Sequence, residues 1–140
     1  MSDSDPTTYE LTAERISPKR TRIDTGDAEF VVGKDVNPVE FFIGSALACL
    51  NSTGTMVAHD MDMTIDGLSA TVVGDLDYSL YRGEESTNRA GLQGLEVRVD
   101  VDTDADQETV DEWLADVKRR CPVTDNVENE TPLDVTAETS

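Results

Sequence analysis

Residues 41–58 carry no charged side chain, and this run restricts the fold more than any other stretch of the chain. Asn37-Pro38-Val39-Glu40 stands just before it. An N-cap residue, a proline at the first helical position and a glutamate three residues after the cap come close to the capping-box pattern. A helix is therefore predicted from Pro38 to about His59. It lacks a polar face for at least four turns, and a helix apolar all round must be covered on every side. Gly44, Ser45, Asn51, Ser52, Thr53, Gly54 and Thr55 are too many small or polar groups for insertion into a bilayer, so a buried helix is expected and no membrane. A domain of 140 residues is hard pressed to cover such a helix alone. A second copy of the chain is the natural cover, which predicts a homodimer with a large interface.

Around this helix the apolar pattern changes period. Residues 8–16, 20–24 and 28–32 are β-like and are separated by Ser17-Pro18-Lys19 and Thr25-Gly26-Asp27, which are turn chemistry. Residues 68–80 alternate strictly, residues 82–94 form a loop with three glycines, and Leu95, Val97, Val99 and Val101 alternate again as a second clear strand. Thr103 or Asp104 is expected to cap a second helix, with Val110, Trp113, Leu114 and Val117 at i, i+3, i+4 and i+7. Four residues further along that stripe is Cys121, in the last turn, where Pro122 ends the helix. Leu133, Val135 and Ala137 predict a final short strand. The order βββ-α-ββ-α-β describes an α+β fold: a single domain over residues 8–140, preceded by a disordered acidic N-terminus over residues 1–7.

The 30 acidic and 11 basic residues give a net charge of −19. Such a chain repels phosphate backbones and anionic lipid, which excludes nucleic acid as a partner. The acidic residues are spread along the chain and there are only three lysines, Lys19, Lys34 and Lys118. This pattern resembles halophilic proteins of a salt-rich cytoplasm, where salt screens the self-repulsion. Met1-Ser2-Asp3-Ser4-Asp5-Pro6-Thr7-Thr8 has neither the basic nor the apolar region of a signal peptide, so a cytoplasmic location is expected.

Cys49 and Cys121, the only two cysteines, are the strongest nucleophile candidates. In a reducing compartment such a pair is more often free or catalytic than a permanent staple. The single histidine, His59, lies ten residues after Cys49, about 15 Å along the same helix, which excludes a Cys–His dyad. The ligand spacing of a metal site is missing, and so are a phosphate loop and a serine elbow; neither metal nor cofactor is implied. Cys49 shares its face with Phe42, Ser45, Ala46, Ser52, Thr53 and Met56, small or hydroxylic on both adjacent turns. In mid-helix it gains little from the helix dipole, so a lowered thiol pKa needs a cation from elsewhere. Lys19-Arg20-Thr21-Arg22 is the best source, with Arg20 and Arg22 on one strand face, against a plain reading as surface charge; Arg15 and Arg89 are weaker candidates.

Asn37-Pro-Val-Glu-Phe-Phe-Ile-Gly-Ser-Ala-Leu-Ala-Cys49 and, far downstream, Arg120-Cys-Pro-Val-Thr-Asp125 resemble the two signature segments of the OsmC/Ohr family, and Arg89-Ala-Gly-Leu-Gln93 between them is also similar. The resemblance spans residues 8–137. It implies an OsmC-like fold, an intertwined homodimer, and a thiol-dependent peroxide reductase acting on organic hydroperoxides. By resemblance, Cys49 is the peroxidatic thiolate and becomes a sulfenic acid; Cys121 resolves it as a disulfide, which an external dithiol reduces, without a cofactor. Peroxidase members place a glutamate directly after the Asn-Pro, where this chain has Val39 and then Glu40. Glu40 lies about 180° around the helix from Cys49, which favours a capping role over catalysis unless a dimer brings it to the partner's site. Two alternatives stay open: an OsmC-like redox or small-ligand-binding protein with weak or no peroxidase activity, and a halophilic structural domain with two inert core cysteines.

Overall fold

The computed structural model describes residues 5–140. Of the expected disordered N-terminus, residues 1–4 lie outside the described residues, and residues 5–11 have no regular secondary structure. The fold is α+β, in the order β1 (Thr12–Ser17), β2 (Arg20–Asp24), β3 (Glu29–Val32), α1 (Pro38–Asp60), β4 (Gly67–Leu76), β5 (Leu92–Asp102), α2 (Gln107–Arg120) and α3 (Pro122–Glu128). It divides into two compact units, one reaching to Gly44 and the other spanning Ser45–Ser140.

In the first unit β1, β2 and β3 form an antiparallel sheet in that order. β1 begins at Thr12 and not at residue 8, because Thr12 faces Asp24, the last residue of its partner strand. There the chain turns: the Gly26 N–H donates to Asp24 Oδ1 at 2.7 Å and the Thr25 N–H to the Ala28 carbonyl at 2.9 Å. Gly33 follows β3 with φ +96°, and a Cβ there would run into the Lys19 carbonyl, so both conformation and space demand glycine. The capping box forms as predicted. The Glu40 N–H donates to Asn37 Oδ1 at 2.8 Å, and the Asn37 N–H donates to Glu40 Oε1 at 3.0 Å. Phe41, in the first turn of α1, stacks on Phe30 of β3 with ring centroids 5.2 Å apart.

α1 runs on into the second unit, where its buried positions Ala46, Leu50, Thr53, Gly54, Val57 and Ala58 repeat at helical spacing. By length and composition this helix is long and apolar enough to cross a membrane, but here that stripe is core: Leu50, Val57 and Ala58 pack with Trp113, Val117 and Cys121. Cover on every side is not reached within the single chain, since Phe41, Phe42 and Met56 remain exposed.

β4 and β5 form an antiparallel hairpin in which Leu68 faces Val101, Ala70 faces Val99 and Val72 faces Val97. The alternation puts Leu68, Val97, Val99 and Val101 against the core. β4 stops at Leu76 instead of residue 80. Asp77 draws the chain out of the strand: its carboxylate accepts from the Ser79 hydroxyl at 2.6 Å and N–H at 2.9 Å, from Asn88 Nδ2 at 2.9 Å and from the Ser86 hydroxyl at 3.0 Å. The Ser79 hydroxyl foremost, then Asn88, the Ser79 N–H and Ser86, hold this carboxyl far below the usual carboxylate range.

The cap of α2 is Asp106, accepting from the Thr109 N–H at 2.9 Å, and not Thr103 or Asp104. The Thr103 hydroxyl is engaged elsewhere, donating to the Thr64 carbonyl at 2.6 Å. At the far end α2 stops as expected before Pro122, which has no N–H to continue the ladder. The chain then opens α3, which the predicted order lacked, using Pro122 at the first helical position. The predicted final strand over Leu133, Val135 and Ala137 does not form: residues 130–140 have no regular structure, and Leu133 and Val135 are 86% and 79% exposed. The alternation is present, but among the described residues no strand pairs with it, and a lone strand leaves its backbone groups without partners.

Candidate active site

The second unit brings the two cysteines together. Trp113 makes the first link: its indole Nε1 donates to the Gly54 carbonyl of α1 at 2.8 Å, and a Cβ on Gly54 would lie 2.7 Å from the ring. Glycine lets the two helices meet this closely. Trp113, Val117 and Cys121 form one stripe at successive turns, and all three are buried, Cys121 completely at 0% exposure. Cys49 is half-buried and packs against the same cluster. Both thiols are free.

Cys121 closes α2 with its N–H on the Val117 carbonyl at 3.0 Å, and its own carbonyl opens α3 by accepting from the Asp125 N–H at 3.1 Å. Its sulfur forms no N-cap hydrogen bond, and the nearby Thr124 hydroxyl donates to the Cys121 carbonyl at 3.5 Å. Burial pushes the thiol up. The hydroxyl and N–H of Thr124, the Cys49 side chain and the Val123 N–H outweigh that and bring it below its ordinary value. No cationic side chain is among these groups. The neighbouring Arg120 is held on Asp60 at 2.9 Å and on Asp116 at 3.2 Å, and those two carboxylates raise the guanidinium further. Arg89, a weaker candidate, donates to the Leu92 carbonyl at 2.7 Å.

One turn along α1 from Cys49, the Thr53 hydroxyl lies 3.8 Å from its sulfur. The sequence predicts Thr53 as a neighbour on the small-residue face and Thr124 only as part of the segment over residues 120–125, neither with a role of its own. The signals were nevertheless in the sequence: a hydroxyl four residues after one cysteine and three after the other.

Arg20, Arg22 and Glu40 all belong to the first unit. Arg20 and Arg22 are exposed on β2, as the alternation requires, and Arg22 lies 4.0 Å from Glu14 on β1. Glu40 is engaged in the capping box described above. Among the described residues no group of three histidine, cysteine or acidic side chains is placed to hold a metal. An open hollow lined by Leu80, Glu85, Ser86 and Thr87 lies in the β4–β5 loop, away from the cysteines, and its one hydroxyl with a recorded partner, Ser86, donates to Asp77.

The family profile described as OsmC-like protein matches residues 31–136. Among solved structures, an OsmC-like protein from Mycoplasma pneumoniae is similar with a TM-score of 0.77 at 16% identity, covering 89% of each chain. An organic hydroperoxide resistance protein OsmC from Legionella pneumophila is similar with a TM-score of 0.61 at 18% identity, over 89% of this chain and 91% of that one. The organic hydroperoxide resistance protein OhrB of Bacillus subtilis gives 0.57 at 20% identity, over 89% and 93%. No curated protein gives a significant sequence match.

Proposed function

Because this chain belongs to the OsmC-like protein family, we propose that it is a thiol-dependent reductase of organic hydroperoxides, with Cys49 attacking and Cys121 resolving. The observation that carries this is the pairing of a half-buried thiol with a fully buried one whose ionisation is eased by the groups around it. The accessible sulfur meets the substrate; the covered one meets only its neighbour. The Cys49 thiolate attacks the terminal peroxide oxygen: an S–O bond forms, the O–O bond breaks, and the departing alkoxide takes a proton to leave as an alcohol. Cys121 then attacks the sulfur of the resulting sulfenic acid, water leaves, and a disulfide forms. Two exchanges with an external dithiol return both thiols, and no cofactor takes part.

Treatment with one equivalent of an organic hydroperoxide followed by peptide mapping is expected to show a Cys49–Cys121 disulfide. Two free thiols after treatment overturn the reading. That outcome favours a binding or weakly redox-active OsmC-like protein, for which the engagement of Glu40 in the Asn37 cap speaks.

The working form is a homodimer in the cytoplasm, built from one OsmC-like domain over residues 8–140. The exposed Phe41, Phe42 and Met56 along α1 support the dimer, as does the unpaired alternation of Leu133, Val135 and Ala137, which needs a sheet edge to pair with. Sedimentation equilibrium at high salt is expected to give twice the chain mass of 15.3 kDa. A monomer at micromolar concentration contradicts it.

A further inference from the structure

Cys49 sits in the middle of a helix, where every backbone N–H is used in the ladder and the dipole gives almost nothing. Besides Cys121, its side chain meets the Thr53 hydroxyl at 3.8 Å. A threonine inside a helix ordinarily turns its hydroxyl back to the carbonyl four residues earlier. Thr55, two residues on, does this, donating to the Asn51 carbonyl at 2.9 Å. Thr53 is buried, at 8% exposure, and its recorded partner is the sulfur instead. Covering a hydroxyl without an acceptor is costly, so this side chain holds a fixed direction.

We propose that Thr53 is the positioning residue of Cys49, donating its hydroxyl hydrogen to the thiolate and holding that sulfur in one orientation on α1. A neutral thiol and a hydroxyl can each act as donor to the other. A thiolate can only accept, so the contact stabilises the ionised form over the neutral one. A neutral donor thereby does part of what a neighbouring cation does in other reactive cysteines. The proposal rests on the reading of Cys49 as the attacking nucleophile, and it assigns that nucleophile a support from its own helix.

The test is the rate of Cys49 alkylation by iodoacetamide, followed by peptide mass spectrometry in the full-length protein, so that Cys121 is counted separately. In Thr53→Val the rate at pH 7 is expected to fall about threefold to tenfold. The deficit disappears at strongly alkaline pH, where cysteine thiols in general are ionised, and Thr53→Ser restores most of the pH 7 rate. Thr53→Ala, with unchanged near-ultraviolet circular dichroism, gives the same pattern and covers the case in which valine disturbs packing. A rate equal to or above that of the native protein at pH 7 overturns the proposal. So does a deficit of the same size at both pH values, which marks a purely structural role. Alkylation needs no peroxide: if the pH-dependent deficit appears while the native protein consumes no hydroperoxide, Thr53 keeps this role and the peroxidase reading falls.

Discussion

Cys49→Ser is expected to lower dithiol-dependent consumption of an organic hydroperoxide at least about a thousandfold, since a serine hydroxyl at neutral pH supplies neither the anion nor the soft nucleophile that the O–O bond requires. The variant's fold is expected to be intact: Cys49 is half-buried, and a serine of nearly the same size keeps a hydroxyl beside Thr53. Cys121→Ser separates the roles. On the proposed roles it is expected to leave the first chemical step in place, with one equivalent of peroxide still consumed rapidly, while the sulfenic acid at Cys49 has no internal thiol to meet. Steady-state turnover with a dithiol then falls, and excess peroxide drives Cys49 on to the sulfinic acid. Stopped-flow peroxide loss with mass spectrometry of the Cys49 peptide checks both. Equal first-turnover rates in the native protein and Cys49→Ser would remove Cys49 from the mechanism.

The largest effect on stability is expected from Trp113→Ala. The indole is 1% exposed, packs on the bare backbone of Gly54 and donates to its carbonyl at 2.8 Å. Removing a buried tryptophan costs about 3–5 kcal/mol, through lost burial and the cavity left behind. For a chain of 140 residues this lowers Tm by on the order of 10 °C. Trp113→Phe keeps most of the volume and loses the hydrogen bond, for about 1 kcal/mol. Thermal unfolding at a fixed high salt concentration, with circular dichroism as the probe, separates the two. Equal stabilities of the alanine and phenylalanine variants would mean that the ring's bulk is not what holds α2 to α1.

Local signals were legible wherever a side chain acts on its own backbone. Asn37 and Glu40 announced the start of α1, the alternation through Val97, Val99 and Val101 announced β5, and the stripe of Trp113 and Val117 carried Cys121 into the core. What stayed hidden depends on groups distant in sequence. β1 is cut short by the length of β2, not by its own residues. The cap moved from Thr103 to Asp106 because the Thr103 hydroxyl answers Thr64, 39 residues away. Leu133, Val135 and Ala137 have a strand's pattern and, among the described residues, no partner strand, and pattern alone does not tell these apart.

The cysteines were found from their type and setting, but not what surrounds them. A search for a nearby cation passes over Thr53 and Thr124, because a neutral hydroxyl stands out in a sequence only once its direction is known. The helical wheel placed Thr53 on the correct face. Only the contrast with Thr55 shows which way its hydroxyl points.

The hand-over of backbone ladders at Cys121 has a mechanical consequence. The backbone of Cys49 is clamped by helical bonds before and after it, so its sulfur is moved by rotation about the Cα–Cβ bond and not by the chain. Cys121 has φ −75° and ψ 112°, outside the helical region, and stands where one rigid rod ends and another begins. Its ψ is the torsion at which the chain changes from one rod to the next. A disulfide between the two cysteines, if it forms, therefore draws on this joint and on the Cα–Cβ torsions of both side chains and leaves the interior of α1 as it is.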